Sequence, residues 1–325
     1  MSLTVSTTME TWPVAGEFTI SRGSRTEIVA VVVEVSDGTH TGRGECAPYP
    51  RDDETPQSVV TAISAANLGD RPDRQALRQT MPAGAARNAL DCALWDLEAR
   101  RSGISVAERC GYKALKPVTT AYTLSLGTPV AMGEAARRAA HHPLLKVKLG
   151  GDGDAARVAA VRDAARDSDL IVDANEAWSG DNFTENMTAC ANAGVALVEQ
   201  PLPAGADDLL AQIAHAVPVC ADESAHVAAD LERLAGKYDA VNIKLDKAGG
   251  LTESLHMMGA ARARGFMVMV GCMVGTSLAM APGLILAQDA DIVDLDGPLL
   301  LAGDRQPGLV YTGGLVGPPP ASLWG

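Results

Sequence analysis

Residues 170–175 read Leu-Ile-Val-Asp-Ala-Asn and residues 196–201 read Ala-Leu-Val-Glu-Gln-Pro, so an apolar run ending in a carboxylate recurs after one intervening polar and Ala-containing stretch. Outward from this pair the same unit repeats. From Val118 onward, short β-rich runs begin near Thr119, Leu144, Leu170, Ala196, Val219, Ala240, Phe266 and Ile292, each followed by a turn and an Ala-rich helical stretch. Their spacing, about 21 to 26 residues, is the length of one strand-loop-helix unit. Runs such as 240–245 (AVNIKL) and 266–271 (FMVMVG) are apolar enough for a parallel sheet covered on both faces. Eight such strands predict an α/β fold built on a modified TIM barrel, (β/α)7β, over residues 117–302. A doubly wound open sheet shows the same alternation and is the structural rival.

Ahead of the barrel the pattern changes. Residues 28–35 form a Val-rich strand, residues 42–47 a second extended segment, and residues 85–100 a helix with Leu90, Ala93, Leu94 and Leu97 on one face. These predict an N-terminal α+β capping domain over residues 1–116. Residues 303–325 are rich in Gly and Pro, too short to fold alone, and expected to pack back onto that domain.

The 325 residues carry 27 Lys+Arg against 40 Asp+Glu, a net charge of −13, and 47% are hydrophobic, which excludes disorder as the main state. The acidic balance and the lack of any basic run argue against nucleic acid and anionic membranes as partners. Cys46, Cys92, Cys110, Cys190, Cys220 and Cys272 form no C-x-x-C pair and read as buried free thiols. Residues 1–13 are polar, with Glu10 where a secretory signal needs an apolar core. The uncharged run 266–287 is broken by Gly271, Gly275, Pro282 and Gly283, so it does not read as a membrane span.

Catalytic residues of such barrels come from the C-terminal ends of the strands. In Leu144-Leu-Lys-Val-Lys-Leu149, Lys146 and Lys148 are two apart and share a face. Burying both requires counter-charge, and three consecutive runs supply it by ending in Asp173, Glu199 and Asp222. One Asp after a strand is commonly a helix cap; three side by side make a set of hard oxygen ligands suited to Mg²⁺. The sixth run adds Lys244, across the barrel from Lys148, so the two can serve opposite faces of one carbon. Near a divalent cation and other lysines their pKa values are expected to fall toward neutrality. Lys247, beyond the strand, is expected to be solvated. Asp294 and Asp296 end the eighth run and suit a positively charged substrate group, or else a turn before Gly297-Pro298. Gly150-Gly-Asp-Gly153 lacks the P-loop lysine and reads as a loop, and His141 and His142 read as solvated.

Lys146-x-Lys148, Asp173-Ala-Asn, Glu199-Gln-Pro, Asp222-Glu-Ser and Asn242-Ile-Lys244 with Gly249-Gly250 resemble the enolase superfamily, muconate-lactonizing subgroup, and within it the dipeptide epimerases of the L-Ala-D/L-Glu type. Members of that superfamily use a Lys or His base with Mg²⁺ to stabilise an enediolate. The resemblance implies Asp173, Glu199 and Asp222 as Mg²⁺ ligands, Lys148 and Lys244 as the two acid/base residues, and Lys146 on the substrate carboxylate. It implies Thr123, Cys272, Met273 and Val274 as pocket lining and Asp294 with Asp296 on the ammonium of a small dipeptide. An acidic side chain would meet Arg22 or Arg25, between which the spacing does not decide. The family's setting, recycling of cell-wall peptides, implies a cytoplasmic enzyme; a homo-oligomer is left open. The alternatives are o-succinylbenzoate synthase, N-succinylamino-acid racemase or cycloisomerase on the same scaffold, and a Schiff-base aldolase, which leaves the three carboxylates unexplained.

Overall fold

The computed structural model describes residues 3–66, 68–69 and 73–325; Met1 and Ser2 of the polar N-terminal stretch lie outside the described residues. Strands β1 (Thr4–Ile20), β2 (Gly23–Ser36) and β3 (Thr41–Cys46) form an antiparallel sheet in that order. β1 and β2 stay paired from Thr4 opposite Ser36 to Ile20 opposite Gly23, making a long hairpin with Ser21 and Arg22 at its tip. Helices α1 (Pro56–Ala65), α2 (Arg74–Thr80) and α3 (Ala85–Ser102) accompany the sheet. The apolar stripe of α3, with Leu90, Leu94 and Leu97, shares a buried cluster with Val31, Val33 and Val35 of β2. The sheet comes this close because β3 carries glycine: a Cβ on Gly44 would stand 2.1 Å from the Ala89 carbonyl oxygen. The expected helix 85–100 is therefore present, two residues longer, and stops where Gly103 takes a left-handed φ of 69°.

After β4 (Val118–Thr119) come the eight strands β5 (Tyr122–Leu124), β6 (Leu144–Lys148), β7 (Asp169–Asp173), β8 (Val195–Glu199), β9 (Val219–Ala221), β10 (Ala240–Lys244), β11 (Met267–Gly271) and β12 (Ile292–Val293). All pair in parallel, and their spatial order is their chain order. A doubly wound sheet reverses its strand order at a switch point, so this order decides for the barrel winding. The curled sheet brings its ends together, since the Ala121 N–H donates to the Val293 carbonyl at 2.8 Å. Ala121, Ile171, Leu197, Cys220, Ala240 and Met269 form a separate buried cluster. The alternate positions Leu145, Val147, Leu170, Val172, Val198, Val241 and Ile243 belong to the large core shared with the helices. This two-sided burial is why the strands read as continuous apolar runs.

Two details depart from the sequence reading. The run near Thr119 is not itself a barrel strand: Val118–Thr119 pairs with the C-terminal hairpin of β13 (Tyr311–Thr312) and β14 (Leu315–Val316), and the first barrel strand starts at Tyr122. Nor does a long helix follow every strand. After β8 the crossover holds only a 3-10 turn at Asp208–Ala211, and after β9 a four-residue helix at Leu231–Leu234. Pro203, Gly205 and Pro218 break the first of these stretches.

The chain end reaches the N-terminal sheet and α3. The Trp324 indole donates to the Cys92 carbonyl at 3.0 Å, and the Arg43 guanidinium donates to the carbonyls of Ser322 and Leu323 at 2.8 Å. All six cysteines are free; four are buried, while Cys110 and Cys272 are half-buried. Among the described residues no helix is long and apolar enough to cross a membrane.

Candidate active site

The inward positions change character at the C-terminal ends of the strands. On β6, Lys146 and Lys148 are both buried and aim the same way; Lys244 ends β10, four strands around an eight-strand winding and hence on the opposite wall. On the strands between stand Asp173, Glu199 and Asp222, all buried, with one oxygen from each lying within 4.8 Å of the others. The backbone past two of them is strained: Asn175, Glu176 and Gln200 hold positive φ values of 43°, 68° and 35°. Gln200 fixes the third, because its Oε1 accepts the Asp222 N–H at 2.9 Å and the Ser224 N–H at 3.0 Å. Asn242 donates to Glu199 Oε1 at 2.7 Å, in space that a Cβ on Gly271 would fill, 2.5 Å from the Asn242 oxygen.

The lysines and carboxylates interlock. Lys146 Nζ lies 2.7 Å from Glu199 Oε2, 2.7 Å from Asp294 Oδ2 and 3.4 Å from Asp173 Oδ2. Lys148 Nζ lies 2.5 Å from Asp173 Oδ2, and Lys244 Nζ 2.7 Å from Asp222 Oδ2. Lys247, expected in solvent, is 4% exposed and inside this network, donating to Asp222 Oδ1 at 2.5 Å and to the Ala225 carbonyl at 2.9 Å. Past β10 the chain turns into a short helix, Leu245–Ala248, that swings the side chain back toward β9. Burial pulls the Lys146 and Lys244 ammoniums down, but Asp294 and Glu199 around the first, and Asp222 and Glu199 around the second, outweigh it and hold both above the usual lysine range. A cation sharing those carboxylates would offset that pull.

The donor set fits an oxygen-seeking divalent cation: three buried carboxylates with one oxygen each close together, and no thiolate or imidazole among them. Glu199 is pushed up to about 7 by burial and by Asp173, a repulsion that a shared cation would relieve.

Above the lysines opens a cavity lined by Thr123, Lys146, Lys148, Lys244, Cys272, Met273, Val274, Asp294 and Asp296 and roofed by Phe18, Ile20, Ile28 and Tyr49 from the N-terminal sheet and the loop after it. Asp294 and Asp296 lie past the end of β12, and Asp296 also precedes the turn Gly297–Leu300, as the turn reading of that pair expects. They are not equivalent. Asp294 pairs with Lys146, whereas Asp296 accepts the Thr123 N–H at 2.6 Å and is pushed up to about 7 by burial and by Asp294.

The two arginines separate clearly. Arg22 does not line the cavity; it is bonded to the Asn175 carbonyl at 3.0 Å, Glu176 Oε2 at 3.2 Å, Glu223 Oε1 at 2.7 Å and the Tyr49 hydroxyl. Arg25 lines the cavity, and its guanidinium makes no hydrogen bond or ion pair among the described residues. Sequence reasoning missed Tyr49, Asn175 and Glu223. The last two sit inside the Asp-Ala-Asn and Asp-Glu-Ser motifs, whereas Tyr49 enters only through the docking of the capping loop. Gly150–Gly153 is a loop, as read, with the N–H groups of Gly150 and Gly151 held by Asp154 at 3.0 and 2.7 Å. Exposed His141 and half-buried His142 lie away from the lysines, with His142 stacked on Tyr122.

Residues 106–296 match the enolase C-terminal domain-like family, and residues 2–111 match the N-terminal domain of the mandelate racemase / muconate lactonizing enzymes. The chain belongs to the enolase superfamily. It is 46% identical over 315 residues to the L-Ala-D/L-Glu epimerase of Escherichia coli K12, covering 96% of this chain and 98% of that one. It is 45% identical over 299 residues to an N-acetyl-D-glutamate racemase of a Pseudoalteromonas species, covering 91% and 95%. A superfamily member from Agrobacterium tumefaciens with homology to dipeptide epimerases, solved with sodium and L-Ala-L-Glu, superposes with a TM-score of 0.97 at 51% identity over 99% of this chain and 100% of that one. A dipeptide epimerase of Cytophaga hutchinsonii, solved with Mg and D-Ala-L-Val, gives a TM-score of 0.91 at 27% identity over 98% and 94%.

Proposed function

We propose that this chain is a Mg²⁺-dependent isomerase that epimerises dipeptides of the L-Ala-D/L-Glu type by 1,1-proton transfer at the α-carbon of the C-terminal residue. The observation that carries the reading is the placement of Lys148 and Lys244 on opposite walls, with three carboxylates between them. An α-hydrogen beside a carboxylate is very weakly acidic because its loss creates a dianion. Mg²⁺ held by Asp173, Glu199 and Asp222 would act as the Lewis acid on those oxygens. Lys146 adds a buried positive charge beside them, one of Lys148 and Lys244 accepts the proton, and the other returns one from the opposite face. The family's resemblance assigns Lys148 to the D-type centre and Lys244 to the L-type.

Specificity follows from the two ends of the cavity. Asp294 and Asp296 offer negative charge to a free N-terminal ammonium, and Arg25, with its donors uncommitted, offers a guanidinium to a Glu side chain. Arg22 has both terminal nitrogens engaged and cannot give a bidentate grip. Arg25→Ala is expected to cost about 2 to 4 kcal/mol of transition-state binding for Ala-Glu, roughly 30- to 1,000-fold in kcat/KM, and to leave Ala-Leu little changed. Such a substrate supports a role in recycling cell-wall peptides in the cytoplasm.

A second reading, racemisation of an N-acylated glutamate, is favoured by the racemase relative and by the Asp296 carboxyl near 7, which when neutral can donate to an acyl oxygen. Incubation with Ala-Glu and with N-acetyl-Glu in D₂O separates the two. Ala-Glu is expected to gain α-deuterium faster, and EDTA to abolish the uptake until Mg²⁺ is added back. Full exchange in EDTA overturns the metal role, and faster exchange of N-acetyl-Glu replaces the dipeptide.

A further inference from the structure

Arg22 sits at the tip of the β1–β2 hairpin, and its contacts reach two other places in the fold. On the capping side it bonds to the Tyr49 hydroxyl. On the barrel side it bonds to the Asn175 carbonyl and Glu176, two and three residues past Asp173, and to Glu223, the residue after Asp222. Ser21, beside it, also donates to the Asn175 carbonyl at 2.9 Å. Glu223 is 4% exposed, one of its oxygens has no hydrogen-bond partner, and Arg22 is the only cation within ion-pair distance of it among the described residues. Glu176 is held a second time from the capping domain, by Arg51 at 2.6 and 2.7 Å. Three residues beyond Arg22, on the same hairpin, stands Arg25 with no partner for its guanidinium and its side chain on the cavity.

We propose that Arg22 is a positioning residue, a latch that locks the specificity hairpin onto the residues following two of the strand-end carboxylates and so fixes where Arg25 meets the substrate. Assignment of Arg25 rests on the dipeptide reading; the latch itself does not. Loss of the Arg22 side chain removes its bonds to Tyr49, the Asn175 carbonyl, Glu176 and Glu223 and leaves only the Ser21 bond at the tip, while β1 and β2 stay paired over the rest of their length. With the tip loosened, Arg25 samples positions away from the cavity, so the acidic side chain loses its partner although Arg25 is intact. The latch also ties recognition to the metal end of the site, because Asn175, Glu176 and Glu223 are anchored by the same strand ends that carry Asp173 and Asp222.

Hydrogen–deuterium exchange of residues 18–26 in the full chain in Mg²⁺ buffer without substrate tests this directly. Arg22→Ala is expected to speed exchange there by at least about tenfold, Glu223→Gln by less, and the double variant by no more than Arg22→Ala alone, with the barrel strands unchanged. Arg22→Lys, which keeps the charge with fewer contacts, should fall between and serves if the alanine variant does not fold. Arg25→Ala should leave this exchange unchanged. In turnover, Arg22→Ala should raise KM for Ala-Glu more than it lowers kcat. Unchanged exchange in Arg22→Ala, or single-variant effects that multiply in the double variant, overturns the latch. Because no substrate is present in the exchange measurement, failure of the dipeptide reading cannot produce either result.

Discussion

Lys148 and Lys244 each hold one carboxylate, Asp173 and Asp222 respectively, and the two carboxylates belong to the group that can share one cation. The site is thus close to symmetric about the cation position, with one base on each wall. Lys148→Ala and Lys244→Ala are each expected to lower epimerisation by 10²-fold or more. Each should still exchange the α-hydrogen of one epimer with solvent, because the remaining lysine faces it. Proton NMR in D₂O with the two epimers supplied separately checks this, and near-normal epimerisation by either variant would sink the two-base mechanism. These lysines were legible because a strand repeats every two residues and a buried Lys-x-Lys needs counter-charge. Lys247 was not, because the two-residue period lapses where β10 turns into helix, and its partner Asp222 comes from a different strand. Arg22 and Arg25 were indistinguishable in sequence for a similar reason: what separates them is Glu223, some two hundred residues away and adjacent only after the capping hairpin docks.

At the scale of elements, local pattern located α3 and the strands of the sheet, whereas contacts between distant segments redrew the edges. The three-residue and four-residue spacing of Leu90, Ala93, Leu94 and Leu97 was sufficient for α3, since its apolar stripe lies on the neighbouring sheet. Nothing local marks Val118–Thr119 as the partner of a hairpin near the C-terminus rather than as the first barrel strand. The glycines of β3 carry a requirement that periodicity does not show, because the backbones of β3 and α3 meet at Gly42 and Gly44. Gly44→Ala is expected to destabilise the chain by about 3 kcal/mol, as its methyl group would meet backbone that cannot give way as a side chain can. A urea unfolding curve measures it; a change below about 0.5 kcal/mol, typical of a surface site, would show that α3 can shift away from the sheet at little cost.

For the whole molecule, the capping layer must sit at a fixed height over the barrel, because it supplies the roof of the cavity and Arg25. Buried polar contacts between α3 and the segment after β10 set that height. Arg87 donates to the carbonyls of Ala248 and Gly249, Trp95 donates to Thr252, and Thr252 donates to Asp91. At the centre is Asp246, two residues from Lys244, which accepts from Asn88 Nδ2 at 2.9 Å and from the Ala47 N–H at 3.1 Å, where Ala47 itself lines the cavity. Burial pushes the Asp246 carboxyl up to about 7, and the two donated hydrogen bonds only partly oppose it. A carboxyl whose pKa is higher folded than unfolded binds its extra proton between about pH 4 and 7, so its contribution to stability is lost as pH rises through that window. Asparagine cannot ionise, and its side-chain oxygen can accept the same two N–H groups. Relative to the unaltered chain, the stability advantage of Asp246→Asn is therefore expected to be larger at pH 8 than at pH 5 by at least about 1 kcal/mol. Comparing the two proteins at each pH removes the titration of all other groups from the difference. Denaturation in urea at both pH values reads it, and an advantage smaller at pH 8 than at pH 5 would mean that the ionised carboxylate, not its neutral form, holds the capping layer over Lys244.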